Sequence, residues 1–341
     1  MGSVSPKQLV FLTGGSGFIA SHILEQLLGR GYKVVVSVRS AVKGDSIISS
    51  YPENIRKDIS YEVVEDIAQD GAFDEAIKSN PTVDFVIHTA SPYHHNIQDP
   101  VKDFLDPAIK GTTGILHSIQ KYAATSVKRF VLLSSIATII NPFNHAEVYN
   151  EEVYGTTTWE EAISGRLTYR ASKIYSERAA FEFMAKEKPE FDLVTINPAL
   201  VFGPPPKHLT SLEALNTSNH RIRDMVLGNM KNELAPTGPV FVFADVRDVA
   251  TAHVRAIELT EVSGQRFMLA AGYFSNKRIS EHIRESFPQY NEVLPPVDSA
   301  DDFPDNIFSI DASKSKDVLG IQYRDLKTCV EDTVEAMIPR L

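Results

Sequence analysis

Tyr169 and Lys173 lie four residues apart in a segment whose pattern is typical of a helix. Positions i and i+4 share one helix face, so the pattern predicts a phenol and an ammonium side by side. Free tyrosine has a pKa of about 10, and a fixed cation nearby favours the phenolate and lowers that pKa. The pair could therefore donate a proton at neutral pH. Chance produces the same spacing on many solvated helix faces, so the rest of the chain decides between the two interpretations.

Ser135 could join this pair, since it follows a predicted buried strand, residues 129–134. Ligands of doubly wound parallel sheets bind beyond the carboxyl ends of the strands. Reduction of a carbonyl group needs hydride at carbon and a proton at oxygen. Tyr169 can donate that proton, Ser135 can hold and polarise the oxygen, and Lys173 can lower the phenol's pKa and bind a nicotinamide ribose. Without these partners, Ser135 would be interpreted as a serine that caps backbone at a strand end.

A glycine-rich segment near the start of the chain could position the cofactor for this chemistry. Gly14, Gly17 and Ala20 form a G-x-x-G-x-x-A pattern between a predicted strand and a predicted helix. Glycine lets the backbone turn tightly and approach a pyrophosphate, whose charge then lies at the positive end of the helix. Ala20 allows the helix to pack closely on the strand. A plain glycine turn is the alternative, but the strand, loop and helix context favours dinucleotide binding.

The end of the second predicted strand indicates which dinucleotide binds. NAD-binding folds usually carry Asp or Glu there, to accept hydrogen bonds from the adenosine ribose. This chain has Arg39 and then Lys43, and no acid before Asp45. Two cations suit a 2′-phosphate, so NADPH/NADP+ is predicted over NAD(H), although ordinary solvated charge would look the same. Asp66 and Ile67, after the third strand, are predicted to meet the adenine edge.

The order of elements along the chain predicts an α/β fold. Apolar runs alternate with amphipathic segments through the first two thirds, as in a Rossmann-type doubly wound parallel sheet with helices on both faces. The predicted strands are residues 9–13, 33–38, 61–64, 83–88, 129–134 and 191–197. The 341 residues exceed the roughly 250 to 300 at which one core stops growing, so a smaller mixed C-terminal substrate lobe is expected.

Proline-rich residues 203–206 mark the predicted lobe boundary, because each proline fixes its own backbone and restricts the residue before it. Residues 1–198 are assigned to the NADP-binding domain, with a returning segment near 239–260, and residues 199–341 mainly to the substrate-binding lobe. The polar segment 141–166 is predicted to be a long loop. With segments 91–97 and 202–230 it would form the walls of a substrate cleft.

Composition and charge argue against several classes of partner, metal site and membrane segment. The net charge of -10 and the lack of any Lys/Arg run disfavour nucleic acid and acidic membrane surfaces. A single cysteine, Cys329, excludes an intramolecular disulfide and a thiolate-rich metal site. No apolar stretch approaches the ~20 residues that span a bilayer, and the first residues lack the pattern of a signal peptide. We therefore expect a cytoplasmic protein with a small-molecule carbonyl substrate, either a monomer or a homodimer.

No metal site is predicted near the end of the fourth strand, although three histidines cluster there. His88, His94 and His95 are accompanied by no spaced pair of carboxylates or cysteines. His94 and His95 lie in the loop after the strand, where they are expected to line the mouth of the cleft or face solvent.

Further stretches carry a family resemblance: residues 88–92, 107–112, 197–198 and 245–250, which read HTASP, PAIKGT, NP and DVRDVA. With the glycine loop, Ser135, Tyr169 and Lys173, they resemble a short-chain dehydrogenase/reductase of the extended type, from residue 9 to nearly the C-terminus. The branch is that of dihydroflavonol reductases, cinnamoyl-CoA reductases and fungal ketoreductases. Within it the chain is most similar to yeast NADPH-dependent methylglyoxal reductase and related fungal carbonyl reductases.

The resemblance implies an NADPH-dependent oxidoreductase, a carbonyl reductase or ketoreductase, with Ser135, Tyr169 and Lys173 as catalytic residues. It also implies a set of cofactor contacts from the glycine loop, the strand ends and two later segments. These are Gly14, Gly15, Ser16, Gly17, Phe18, Ile19, Arg39, Lys43, Asp66, Ile67, Ala90, Tyr169, Lys173, Val201 and Ser218. Departures from the relatives at residues 168–170 and at Ile136 leave this chemistry intact and bear on substrate preference.

Two other functions occur on the same fold. Nucleotide-sugar epimerases and dehydratases are one, but dehydratases need an acid pair after the serine or threonine of the fifth strand, and residues 135–138 supply none. A non-catalytic NADP(H)-sensing protein is the other, and such proteins typically lose the tyrosine or the lysine. Asp245, Arg247 and Asp248 could look catalytic, but capping a helix and joining two lobes is the better interpretation. Reversible carbonyl reduction is therefore predicted.

Overall fold

The computed structural model describes residues 7–91, 99–141, 143–165, 167–209 and 211–340. Within these residues the strands β1 to β12 are Leu9–Thr13, Lys33–Val38, Ile59–Val63, Phe85–His88, Arg129–Leu133, Val148–Tyr149, Asp192–Pro198, Leu200–Phe202, Val242–Asp245, Arg266–Leu269, Gly272–Tyr273 and Ser309–Ile310. The α-helices α1 to α12 are Phe18–Gly29, Ala41–Ser49, Glu53–Arg56, Asp74–Lys78, Asp106–Tyr122, Trp159–Ile163, Thr168–Glu187, Thr217–Val226, Val246–Glu258, Asn276–Ser286, Ser313–Asp317 and Leu326–Met337.

A parallel sheet of seven strands forms the centre of the described fold, in the order β10-β7-β5-β4-β1-β2-β3. Alternate side chains of one strand enter cores on opposite faces. Leu12 packs in the same core as Ile23 of α1, whereas Phe11 packs in the same core as Ile115 of α5. Burial on both faces explains why these strands are continuous apolar runs. The predicted α/β fold with a doubly wound parallel sheet is confirmed.

The strand order reverses between β1 and β4, since β2 and β3 lie on one side of β1 and the later strands lie on the other. Ligands of such sheets bind in the crevice beyond the carboxyl ends of the strands at this reversal. The glycine loop follows β1, and Ser135 follows β5 two strands away. The topology thus brings the predicted cofactor loop and the predicted catalytic serine to one edge of the sheet.

A second, smaller group of elements follows β7 in the chain. β8 pairs in parallel with β9, and β9 pairs antiparallel with β11. Phe202, Phe243 and Phe274 from this sheet region share a core with residues of α8, α10 and α12, among them Ile222 and Val330. The predicted mixed character of the C-terminal lobe is confirmed.

The segment 141–166 is not the continuous loop that the sequence predicted. Val148 of β6 pairs with Ser309 of β12. The helix α6 begins with a capping box, in which the side chains of Thr158 and Glu161 bond each other's backbone N–H groups. The loop prediction was wrong because the partner of β6 lies far downstream in the chain, and because polar capping residues resemble loop residues.

The last strand of the central sheet comes from further along the chain than the returning segment predicted near residues 239–260. β10 pairs with β7 through Arg266 and Thr195. Within the predicted returning segment, β9 joins the small sheet and α9 packs against α1. The division at residue 198 stays a prediction. No helix in the described ranges combines the length and the apolar composition needed to cross a bilayer.

Candidate active site

The glycine loop between β1 and α1 has the close backbone packing that pyrophosphate binding requires. Gly14 has a φ of +68°, and a Cβ at this position would lie 3.1 Å from backbone atoms of Ala90. A Cβ on Gly17 would lie 3.1 Å from the carbonyl oxygen of Gly14. Gly17 precedes α1 and has no side chain to cap the first N–H groups of that helix. Those groups and the helix dipole suit an anion at this point.

The remaining loop residues are held from several sides. The N–H of Gly15 donates to the carbonyl of Ser37 at 2.9 Å, and a Cβ on Gly15 would lie 2.6 Å from Cβ of Val36. Ser16, Phe18 and Ile19 are half-buried. The loop therefore has one backbone path, set by β2 on one side and by its own turn on the other.

Two cations stand at the end of β2, as the sequence predicted. Arg39 and Lys43 are both exposed, and neither side chain forms a hydrogen bond or an ion pair with another described residue. The first acid after the strand, Asp45, accepts a hydrogen bond from the hydroxyl of Tyr61 at 3.0 Å. Asp45 lies inside α2 rather than at the end of β2, whereas the two cations suit a 2′-phosphate.

Asp66 and Ile67 follow β3 in a short turn. The carboxylate of Asp66 accepts from the N–H of Ala68 at 2.9 Å, and its side chain is exposed. Ile67 is half-buried against α5, and a Cβ on Gly111 of that helix would lie 2.9 Å from its Cδ1. The turn thus presents a polar edge and an apolar surface beside the carboxyl end of the sheet, as contact with an adenine ring requires.

Ala90 is fixed by Thr13 at the end of β1. The hydroxyl oxygen of Thr13 accepts from the N–H groups of Thr89 and Ala90, both at 3.0 Å. Because this hydroxyl accepts two hydrogen bonds, it donates its own to Nδ1 of His88, also at 3.0 Å. His88 is therefore neutral with its proton on Nε2, and burial, together with the charge of Lys173, lowers its pKa to about 3.

Ser135 lies two residues after the end of β5 and is buried. Its Oγ accepts a hydrogen bond from the N–H of Ala137 at 3.1 Å and so caps a 3₁₀ turn, Ile136–Thr138. The strand-end cap considered as an alternative from the sequence is therefore present. A hydroxyl that accepts one bond still has a proton to donate and a second lone pair, so capping does not exclude contact with a substrate oxygen.

Tyr169 and Lys173 lie in the first two turns of α7, and that helix packs against the 3₁₀ turn that Ser135 caps. Nζ of Lys173 donates to the carbonyl of Leu133 at 3.3 Å, two residues before Ser135. Tyr169 is half-buried, and its backbone carbonyl accepts from the hydroxyl of Ser172 at 2.7 Å. The fold thus brings the start of α7, which carries Tyr169 and Lys173, against the turn that carries Ser135 at the carboxyl end of β5.

Burial tunes the lysine of this group. Lys173 is buried, and the loss of hydration lowers its pKa to about 8, while the carboxylate of Glu177 opposes this shift. A lysine with this pKa is still mostly charged at neutral pH. Its charge can therefore act on a neighbouring phenol in the physiological range.

Val201 and Ser218 come from the smaller lobe and lie near each other. Val201 is a buried residue of β8, and Ser218 is in the first turn of α8. The side-chain amide of Asn216 donates to the carbonyl of Val201 at 3.2 Å. This bond joins the strand that carries Val201 to the start of the helix that carries Ser218.

Sequence reasoning missed buried polar residues behind the site. Arg170 follows Tyr169, and its guanidinium donates to the carbonyl of Ile140 and, at 3.0 Å, to the hydroxyl of Thr157. Glu177, one turn after Lys173, forms an ion pair with Arg266. The i+4 spacing from Lys173 was a signal for Glu177, because it placed this carboxylate on the face that carries the lysine.

The structure supports a structural interpretation of the acidic motif after β9. Asp245 caps α9 by accepting from the N–H of Arg247 at 2.8 Å. Arg247 also pairs with Asp332, and Asp248 pairs with Arg324. The predicted cap is present, whereas the predicted role in joining two lobes stays a prediction, as does the division into lobes. His94 and His95 lie outside the described residues.

Comparisons with known proteins show the family and the relatives of this chain. The sequence pattern of the NAD dependent epimerase/dehydratase family matches residues 10–270. The ketoreductase azaE of Aspergillus niger is 60% identical over 338 residues, which is 99% of each chain. The NADPH-dependent methylglyoxal reductase GRE2 of Saccharomyces cerevisiae is 35% identical over 338 residues, 96% of this chain and 98% of the relative. The crystal structure of yeast methylglyoxal/isovaleraldehyde reductase Gre2 complexed with NADPH is similar, with a TM-score of 0.91 and 34% identity over 98% of this chain and 100% of that chain.

Proposed function

The chain belongs to the NAD dependent epimerase/dehydratase family, and from this premise we propose that it is an NADPH-dependent reductase of ketones or aldehydes. The resemblance to fungal ketoreductases and methylglyoxal reductases, inferred from the residues, is confirmed by the relatives. The predicted enzyme class, an oxidoreductase, and the predicted cofactor, NADPH, agree with the names of those relatives.

The residues present fit this cofactor. A Cβ on Gly14 or Gly17 would fill space that the backbone path needs, and Arg39 and Lys43 have no partner among the described residues. The glycine loop would hold the pyrophosphate, Arg39 and Lys43 the 2′-phosphate, and Asp66 and Ile67 the adenine. The further contacts proposed are Ala90, Tyr169, Lys173, Val201 and Ser218.

The observation that carries the proposal is the convergence of Ser135, Tyr169 and Lys173 at the carboxyl end of β5. NADPH supplies a hydride to the carbonyl carbon when it is bound. Ser135 would hold the carbonyl oxygen, and Tyr169 would give it a proton, which completes the alcohol. The positive charge of Lys173 would stabilise the phenolate that remains until solvent returns a proton. The same groups serve alcohol oxidation by NADP+, so the reaction is reversible.

The substrate would lie between the lobes, against segments 141–166 and 202–230; of the third predicted wall, segment 91–97, residues 92–97 lie outside the described residues. The test is consumption of NADPH with a panel of α-dicarbonyls, aryl ketones and β-ketoesters. We expect turnover with at least one of these classes. Tight NADPH binding without turnover on the whole panel would favour an NADP(H)-sensing protein. Conversion of a nucleotide-sugar without net NADPH consumption would favour an epimerase-like enzyme.

Activity should depend on pH through Lys173. Below a pH of about 8 the ammonium is charged, and above it the charge is lost, so the phenol becomes a weaker acid. We expect kcat for carbonyl reduction to be level at pH 6 to 7 (roughly) and to fall as pH rises through about 8. Among the described residues, the groups near Lys173 include Tyr169 and Glu177 on its own helix, neutral His88 on β4 and the carbonyl of Leu133 on β5.

The control for this pH profile is Lys173→Arg, because arginine stays charged throughout the range. Its rate can be lower than that of the wild type, since the larger head group must fit the same space. The fall of its kcat at alkaline pH should nonetheless move to higher pH. An unchanged fall near pH 8 in that variant would assign the titration to another group.

A further inference from the structure

Glu177 of α7 is a buried carboxylate with partners on three strands of the sheet. Its side chain is 4% exposed. Oε2 accepts from the hydroxyl of Ser134 after β5 and from the side-chain amide of Asn197 on β7, the latter at 2.6 Å. Oε1 accepts from Nε of Arg266 on β10 at 2.8 Å. The carboxylate therefore joins the helix that carries Tyr169 to the ends of β5, β7 and β10.

Two groups bonded to this carboxylate hold the backbone of Ser135. Ser134 precedes Ser135 in the chain. Oγ1 of Thr138 lies 3.3 Å from Oε2 of Glu177 and 2.9 Å from the carbonyl oxygen of Ser135. The Thr138 hydroxyl can donate its proton to either of these two oxygens. Asn197 and Arg266 donate to the same Oγ1, at 2.9 and 3.1 Å. The residues on both sides of the proposed catalytic serine are thus bonded to Glu177.

Glu177 also acts on Lys173, which lies one turn earlier on the same face of α7. Nζ of Lys173 is held by the carbonyl of Leu133, directly before Ser134. The Glu177 carboxylate favours the charged lysine and raises its pKa against the effect of burial. One carboxylate is therefore coupled both to the backbone around Ser135 and to the charge of Lys173.

Arg266 extends the contacts to the wall of the cleft. Its Nη1 donates to the carbonyls of Glu151 and Val153, the second at 3.1 Å, and its guanidinium lies 4.1 Å from the ring centroid of Tyr154. Its side chain is also 4% exposed. A buried ion pair is weak support for stability, because the lost hydration of two charges offsets much of their attraction. The position of this pair between the catalytic helix and the wall segment therefore calls for a role in geometry.

We propose that Glu177 and Arg266 are positioning residues, which set the distance between Ser135 and Lys173 and hold segment 151–154 against them. The inference rests on the proposed Ser135, Tyr169 and Lys173 set. Neither residue touches the substrate in this proposal. Their effect passes through Ser134, Thr138 and Lys173.

The first test is Glu177→Gln, which keeps the shape and removes the charge. We expect kcat to fall by on the order of 10- to 100-fold, because a misplacement of about 1 Å costs that much. The dissociation constant of NADPH should change by less than about threefold. The alkaline fall of kcat should move to lower pH by about one unit, since Lys173 loses the carboxylate that favours its charge.

The second test is Thr138→Val, which leaves the ion pair and removes the hydroxyl between Arg266 and Ser135. We expect the kcat of this variant to fall about tenfold, because Ser135 is displaced in the same way. The pH at which its kcat falls should be the same as in the wild type, because the Glu177 carboxylate is still present beside Lys173. If Glu177→Gln does not fold, Thr138→Val alone decides the question.

The chain offers a control for the loss of an ion pair on the same strands, in which the arginine is buried and the carboxylate is partly exposed. Arg129 and Asp192 pair on the same strands, β5 and β7, but at the opposite ends, and Nη2 of Arg129 lies 2.7 Å from Oδ2 of Asp192. Asp192→Asn should lower the midpoint of thermal unfolding and leave kcat and the pH profile unchanged. This variant therefore separates the effect of a loss of stability from the effect of a displacement of Ser135 and Lys173.

The results sort clearly when Tyr169→Phe is measured beside these variants. Wild-type kcat in folded Glu177→Gln or in Thr138→Val, with Tyr169→Phe inactive, overturns the positioning role and leaves the proposed function intact. A fall of kcat in Asp192→Asn as large as in Glu177→Gln also overturns it. Full activity of Tyr169→Phe overturns the proposed function instead.

Discussion

Tyr169→Phe is expected to lower kcat for carbonyl reduction by about 100- to 10,000-fold, the range that a positioned proton donor contributes. The variant keeps the aromatic ring and its packing in α7, so the helix and the charge of Lys173 stay in place. The developing oxyanion then has Ser135 beside it but no acid to give it a proton. Affinity for NADPH should fall by less than about tenfold, since at most one neutral hydrogen bond is lost.

The measurement is kcat at saturating NADPH and substrate, with NADPH affinity taken from fluorescence titration of the same preparation. Tyr175→Phe is the matched control. Tyr175 lies on the same helix, and its hydroxyl donates to the carbonyl of Thr157 at 3.0 Å, so this variant also loses one tyrosine hydrogen bond. It should keep kcat within about threefold of the wild type. Full activity of Tyr169→Phe would exclude the proposed mechanism.

Arg39→Asp is expected to exchange the preference between the two nicotinamide dinucleotides. The ratio of kcat/KM for NADPH to that for NADH should fall by on the order of 100- to 1000-fold. The variant removes charge-assisted bonds to the 2′-phosphate and places a like charge beside it. The new carboxylate can also accept hydrogen bonds from the ribose hydroxyls of NADH.

The initial rates with both cofactors, over a range of cofactor concentrations, give this ratio directly. Lys57→Asp makes the same change of charge at an exposed position before β3, at the opposite end of the sheet. That control should leave the ratio unchanged, because exposed charges at this distance are screened by salt. An unchanged ratio in Arg39→Asp would show that the arginine does not bind the phosphate.

Local pattern was enough for the elements that begin the site. β1 and β2 have the bounds that the apolar runs predicted, Leu9–Thr13 and Lys33–Val38, and α1 begins inside the glycine loop. Gly14 has the positive φ that its place in the motif demands. These features depend on residues close together in the chain, whose backbone requirements can be read without knowledge of the rest of the fold.

Pairing between distant segments could not be predicted in the same way. β6 and β12 have two residues each, too few for a periodic pattern. The loop prediction for residues 141–166 failed for this reason. β10 was recognised as a short strand, but its place beside β7 follows from the order of the whole sheet.

The sequence alone predicted the kind of chemistry: a proton donor tuned by a lysine, a serine at a strand end, a phosphate loop and two cations for a 2′-phosphate. Each rests on the spacing of a few neighbouring residues. The tertiary structure decided what surrounds them. Glu177 meets Arg266 only because the sheet places β10 beside β7, and no local pattern joins two residues so far apart. The positioning role that we propose for that buried pair could therefore be inferred only from the folded chain.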